Sequence, residues 1–244
     1  MSANLTDDVA MRYADLRPGS PADAVPVLLL HGFGTHFEMN WKAAGWVQSL
    51  EAEGLRVIGP DLRGHGGSDK PTDDAAYLPE RFTQDLVALL DRLDVDRVDV
   101  VGYSMGSRLA WDLALRAPGR VRRLVLGGFG PNDAFGGTDL NALGEGETPF
   151  DGVFRTVSAL PNNDAAALAA CARGQAARPF RSEPAPEGIP FLLVAGAEDP
   201  LAAGAEELAR DRGGSHVEIP GRDHANAVSS RVFRQAVVDF LVRD

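Results

Sequence analysis

A chain of 244 residues, 44% hydrophobic and 24% charged, can bury a full core and has the ordinary balance of a globular protein. Its formal net charge of −11 argues against non-specific binding to nucleic acid or to anionic membrane, since both demand a positive face. A single cysteine, Cys171, excludes an internal disulfide framework and a cysteine-ligated metal site, and its alanine-rich surroundings read as packing rather than as a reactive thiol.

Short apolar strands alternate with amphipathic helical patterns, the signature of βαβ units in a mostly parallel sheet. Residues 9–16 alternate and predict an antiparallel edge strand or hairpin, 19–23 form a turn cluster, and 25–30 are a continuous apolar run that predicts a strand buried on both faces. Residues 43–53 read as a helix stopped by Gly54, and 56–60 as the next strand. In 79–93, Phe82, Leu86, Leu89, Leu90 and Leu93 form one helical stripe behind Pro79 and Glu80. The β-branched run 97–101 predicts a strand, 107–117 a helix and 121–126 another strand.

From 131 to 188 the pattern breaks down into Gly, Pro, Asn and Asp, with two weak helical patterns at 152–160 and 164–173. So long a loop is improbable inside a compact domain, so the stretch reads as a small, partly helical insertion between core segments 1–130 and 189–244. The alternation resumes with a strand at 189–195, a helix at 203–212, a strand at 216–219 and a helix at 230–242. No basic segment followed by an apolar run opens the sequence and no apolar run reaches membrane-spanning length, so a cytoplasmic protein is expected.

The most informative stretch is Gly102-Tyr103-Ser104-Met105-Gly106, a serine between two glycines at a strand-to-helix turn. A turn that sharp crowds the backbone, and glycines on both sides remove the Cβ atoms that would clash. The pattern is common by chance, so the rest of the chain must supply what a weak hydroxyl nucleophile needs: a base held by a carboxylate. Of five histidines, His31 and His65 sit in glycine-flanked turns, His36 in a loop and His216 at the start of a strand. His224 alone lies in the loop after the last strand, where parallel sheets place their reactive groups. Asp199, ending the strand before Pro200, is the choice for orienting His224, against the plainer role of a turn or N-cap aspartate; Glu198 and Asp133 are lesser candidates. Oxyanion donors are expected from the backbone N–H groups of Met105, at a helix N-terminus, and Phe33, in a glycine loop where His31 acts as a buttress.

With these residues in place the chain resembles the α/β-hydrolase-fold enzymes. His31-Gly32-Phe33-Gly34, the segment from Asp61 to Asp69, the Ser104 turn, Gly196-Ala197-Glu198-Asp199-Pro200 and Gly221-Arg222-Asp223-His224-Ala225 match that family's elements in order. The resemblance implies an α/β fold with about seven to eight strands, an insertion 131–188 that caps the site, and a structural role for 61–69. It implies a serine hydrolase acting by acyl transfer without metal or organic cofactor, and a serine at 104 sets it apart from relatives with an aspartate nucleophile, the haloalkane dehalogenases and epoxide hydrolases.

The Ser104 turn, the segment from Asp61 to Gly66 and His224-Ala225-Asn226 resemble small carboxylesterases and enol-lactone hydrolases, although Ser107 stands where many of them carry glycine and the insertion is shorter than the lids common in them. A fairly open pocket for short or medium acyl esters or lactones is therefore expected, lined by Gly32, Phe33, Tyr103, Met105 and Phe129, the last of which could equally be core. The expected partner is such a small molecule, with no nucleic acid and no membrane, acted on by a monomer or homodimer. A carbon–carbon hydrolase, a ligand-binding member that retains the same residues and a cofactor-free oxygenase are the alternatives.

Overall fold

The computed structural model describes residues 1–4, 9–17, 19 and 24–242. Its strands, in chain order, are β1 (Ser2–Asn4), β2 (Ala10–Leu16), β3 (Val27–Leu30), β4 (Val57–Pro60), β5 (Val98–Tyr103), β6 (Val121–Gly127), β7 (Phe191–Gly196) and β8 (Ser215–Ile219). They form one sheet of order β1-β2-β4-β3-β5-β6-β7-β8. β2 runs antiparallel to β1 and to β4, as the alternation at 9–16 predicts, and β3 to β8 are mutually parallel. Of the turn cluster predicted at 19–23, only Gly19 lies within the described residues.

The period-two geometry of a strand divides the core. Leu28, Leu30, Val100, Leu124, Leu126 and Leu193 face one layer, made of α2 (Pro79–Arg92), α3 (Met105–Arg116), the inserted α4 (Pro149–Ser158) and α5 (Ala165–Ala176), and α6 (Ala205–Arg212). Val27, Leu29, Val101, Val125 and Val194 face the other, made of α1 (Trp46–Ala52) and α7 (Arg231–Val242). Each such side chain contributes about 1.5–3 kcal/mol by leaving water, which is why runs predicted from apolar content alone become strands buried on both faces.

Three differences from the predicted elements have local causes. α1 starts at Trp46 rather than at residue 43, because Gly45 adopts φ 80° and separates the helix from a five-residue π-helical turn at Glu38–Lys42. α4 starts at Pro149 rather than 152, because Thr148 and Asp151 form a reciprocal capping box: Asp151 N–H donates to Thr148 Oγ1 at 3.1 Å and Thr148 N–H to Asp151 Oδ2 at 3.2 Å. α5 is capped by Asp164 and buried around much of its circumference, which erases its apolar stripe; a Cβ on Gly174 would stand 2.4 Å from the Asp74 carbonyl oxygen. Residues 131–188 are thus more helical than their sequence suggests.

Candidate active site

β3 lies between β4 and β5, so the chain turns one way after β3 and the other way after β4, and a crevice opens at the carboxyl ends of β3 and β5. Leu30 pairs with Gly102 across that boundary. Ser104 follows β5 with φ 54° and ψ −117°, a backbone conformation that a residue with a side chain adopts only when its surroundings force it. A Cβ on Gly102 would sit 2.4 Å from the Gly106 carbonyl oxygen, and one on Gly106 would sit 2.0 Å from that of Leu30. Both glycines are therefore steric requirements of this turn. Ser104 N–H and the Ser107 hydroxyl each donate to Gly127 O at 2.8 Å, so the serine at 107 fastens the start of α3 to the end of β6.

His224, in the loop after β8, has Nε2 2.9 Å from Ser104 Oγ and Nδ1 2.8 Å from Asp199 Oδ2. A carboxylate at Nδ1 fixes the proton there and leaves Nε2 as an acceptor for the serine hydroxyl. Asp199 uses its other oxygen, Oδ1, to accept from Leu201 N–H at 2.9 Å, so the turn-cap and histidine-holding roles coexist on one side chain. Its side chain is fully buried, whereas that of His224 is 19% exposed and can meet a ligand. Tyr103, just before the serine, donates its hydroxyl to His224 O at 2.6 Å, and burial keeps that phenol protonated by pushing its pKa up. Glu198 and Asp133 are both exposed and neither meets His224; Asp133 instead accepts from Phe135 N–H.

A Cβ on Gly32 would lie 3.6 Å from Ser104 Cβ, so the loop after β3 reaches the serine. Among the described residues the backbone N–H groups of Phe33 and Met105 make no hydrogen bond, which leaves both available to an oxyanion. The loop is braced from behind. Asn40 Oδ1 accepts from Gly32 N–H at 3.1 Å, His31 Nδ1 is 2.8 Å from Gly32 O, and His31 Nε2 accepts from Leu62 N–H at 2.9 Å. Burial pushes the His31 pKa down to about 4 and that of the adjacent His65 to about 3, so both rings stay neutral struts. Within 61–69, Asp61 accepts from Phe37 and Gly67 N–H, and Arg63 makes a buried two-pronged pair with Asp85 at 2.7 and 2.8 Å. That segment buttresses the site and supplies nothing to it.

Ser104 opens onto two cavities. The narrower, of about 70 Å³, adjoins Phe33 and Met105 and is walled by Phe129, Phe150 and Phe180, with Arg108 and Gln175 among its few polar residues. The wider, of about 420 Å³, adjoins Gly32, Tyr103 and His224 and is walled by Met39, Val153 and Val157. Gly32, Phe33, Tyr103 and Phe129 each line one or both of these cavities, and Phe129 also packs edge-on against Phe180. Arg108, Gln175, Asn40 and the insertion's aromatic residues escaped sequence reasoning. Arg108 had a readable signal, since a residue four after the serine lies on the same face of the helix that follows. No group of His, Cys, Asp and Glu among the described residues is arranged to hold a metal ion, and no helix is long and apolar enough to cross a membrane.

A family model described as alpha/beta hydrolase fold matches residues 25–170, more than half of the sequence. The chain belongs to the α/β-hydrolase fold family. Within this family it is 38% identical over 120 residues to epoxide hydrolase 2 of Siraitia grosvenorii, a match covering 49% of this chain and 35% of that one. It is 41% identical over 106 residues to 2-hydroxymuconate semialdehyde hydrolase of Pseudomonas putida, covering 43% and 37%. These matches span little more than a third of each relative's length. The enol-lactonase from Burkholderia xenovorans LB400 has the same fold over the full length of both chains, with a TM-score of 0.80 at 24% identity.

Proposed function

We propose that this protein is a serine hydrolase that cleaves small carboxylic esters or lactones through an acyl-enzyme on Ser104. The observation that carries the reading is the unbroken chain Ser104 Oγ, His224, Asp199 at 2.9 and 2.8 Å, hung on a serine in a forced backbone conformation beside two unused N–H donors. His224 Nε2 takes the hydroxyl proton as Oγ attacks the carbonyl carbon, and the negative oxygen that forms is held by Met105 and Phe33 N–H. Asp199 stabilises the imidazolium. The bond to the leaving oxygen then breaks, and His224 returns the proton to it; in a lactone that hydroxyl stays tethered. Water repeats the sequence, giving a proton to His224, attacking the acyl carbon and releasing Ser104 as the hydroxyl.

His224 adjoins only the wider cavity and Met105 only the narrower, so the leaving group belongs in the first and the acyl group in the second. A water-sized group needs about 10–15 Å³ of such space, which limits the acyl chain to roughly five or six heavy atoms beyond the carbonyl. Phe150 and Val153 of α4 roof these cavities, which supports a lid role for 131–188 over the 1–130 and 189–244 core. The protein would act in the cytoplasm on a diffusing small molecule, without a cofactor, as a monomer or homodimer.

A carbon–carbon hydrolase is the second reading, favoured by the name of the Pseudomonas putida relative and by the buried, unpartnered Asn40 Nδ2 beside the wider cavity. Epoxide opening through an alkyl-enzyme would require a carboxylate where Ser104 stands. The test is a panel of esters and lactones of graded acyl length, a vinylogous diketone, and labelling by an organophosphonate. Ester or lactone turnover that falls at least about a thousandfold in Ser104→Ala is expected. Turnover confined to the diketone, or an unlabelled Ser104 with no ester turnover, would sink the reading.

A further inference from the structure

The turn that carries Phe33 N–H is held from two sides, and one of them is the segment 131–188. Gly32 to Thr35 close a β-turn in which Thr35 N–H donates to Gly32 O at 3.3 Å and Gly34 takes φ 67°. Phe33 stands between two glycines, so little in the local backbone fixes its N–H, which makes no hydrogen bond of its own. From the core, His31 Nδ1 and Thr35 Oγ1 each lie 2.8 Å from Gly32 O. From the other side, Asn163 Nδ2 donates to Gly34 O at 2.7 Å and to Val157 O at 2.8 Å. Two carbonyl acceptors identify that atom as the amide nitrogen and use both of its protons. Asn163 precedes Asp164, the N-cap of α5, and Val157 lies in the last turn of α4, so one side chain ties the loop after β3 to the junction of two helices. Apolar contact follows the same line. The Phe33 ring packs against Phe150 and Phe154 with centroids 5.3 and 6.4 Å away, and a Cβ on Gly34 would stand 2.3 Å from that of Val157. Val157 O also accepts from Leu160 N–H, whereas among the described residues Gly34 O has no donor but Asn163.

We infer that Asn163 is a positioning residue of the oxyanion hole, clamping the turn that carries Phe33 N–H, so that residues 131–188 complete the reacting site as well as covering it. This rests on the acyl-enzyme reading of Ser104. A donor stabilises the developing oxyanion only from about 2.7–3.1 Å, and a misplacement of about 1 Å lowers the rate roughly a hundredfold. Without the amide, Gly34 O loses its anchor and the turn is held from the core side alone. Asn163 lines neither cavity, so its effect falls on the transition state and not on substrate contact. The signature of such a residue is a lower kcat at an unchanged KM.

The test uses the ester that the native protein cleaves fastest and a trifluoromethyl ketone with the same acyl group, whose adduct with Ser104 places an anionic oxygen in the hole without turnover. Asn163→Asp keeps the shape of the side chain and loses both donors, and Asn163→Ala removes it. Each should lower kcat by about tenfold to a hundredfold with KM within about twofold of native, and weaken the ketone by the same factor. Asp164→Ala is the control for a merely structural role, because it strips the α5 cap from Ala166 and Ala167 N–H while leaving Gly34 O its donor. It should lower the melting temperature comparably and keep native kcat and ketone affinity. Equal kinetic losses in Asp164→Ala overturn the inference while the acyl-enzyme stands, as do native kcat and ketone affinity in Asn163→Asp, the variant that decides if Asn163→Ala does not fold. No ester turnover by the native protein, with Ser104 unlabelled by an organophosphonate, sinks both.

Discussion

An alanine at position 106 would place its methyl carbon 2.0 Å from the carbonyl oxygen of Leu30 and 2.8 Å from that of His31, where ordinary contact begins near 3.4 Å. Both obstacles are backbone, and Leu30 is tied in register to Gly102 of β5, in the centre of the sheet. The only relief is for the start of α3 to move away from β3 by more than an ångström. Overpacking of this kind costs about 1–3 kcal/mol. The same movement draws Met105 N–H away from Phe33 N–H, and a misplacement of about 1 Å at reacting groups lowers the rate roughly a hundredfold. Gly106→Ala should therefore lower the urea midpoint and slow both organophosphonate labelling of Ser104 and ester turnover by about two orders of magnitude. Gly152→Ala is the matched control. Nothing lies within 4 Å of a Cβ there, and an alanine in α4 should stabilise by about 0.5–1 kcal/mol. A Gly106→Ala protein with native stability and a native labelling rate would refute the steric account of this turn.

Acid should destabilise the fold through the two neutral struts behind the oxyanion loop. The unfolded chain binds a proton at each imidazole near pH 6.5, whereas burial holds His31 to about 4 and His65 to about 3. Between about pH 6.5 and pH 4 the unfolded state carries more protons, so stability falls with pH, by about 2 kcal/mol for each ring at about pH 5. Urea titrations at pH 7 and 5 measure the loss, and a His65→Gln variant whose stability falls just as steeply would count against it. Ser107→Ala removes a buried hydrogen bond to Gly127 O but orphans no acceptor, because Ser104 N–H still reaches that oxygen. About 1 kcal/mol of stability should go, and a loss beyond about 3 kcal/mol would show that Ser107 does more.

What was legible in the sequence was what is enforced locally. The Ser104 turn could be read because its glycines answer to clashes within a few residues or with the adjacent strand. His224 and Asp199 could be singled out because each lies in a loop after a parallel strand, and the structure brings both to Ser104. Where tertiary contact decides, the reading drifted. α1 starts after Gly45 at φ 80°, and Trp46, its first residue, is held by an indole hydrogen bond to Val228 O, a partner remote in sequence. α5 lacks a polar face because it is packed on several sides, so its periodicity is weak although its helix is firm. The Thr148 and Asp151 capping box is written in the sequence but is masked by the turn-forming residues around it. Arg108 could be placed on the serine's side of its helix by counting, but nothing in the sequence reveals that its guanidinium reaches the Arg178 carbonyl, 70 residues on.

The strands on either side of residues 131–188 are themselves neighbours. β6 and β7 pair directly and in parallel, Leu124 with Phe191 through Gly127 with Val194, so the chain leaves the sheet at the carboxyl end of one strand and returns at the amino end of the strand beside it. The excursion between them is a closed loop with its ends already joined by the core. Doubling the length of such a loop costs only about 0.6 kcal/mol of closure entropy. Segments of different length can therefore be accommodated at this seam, redrawing the walls of both cavities while the strands that aim the serine and the histidine keep their register.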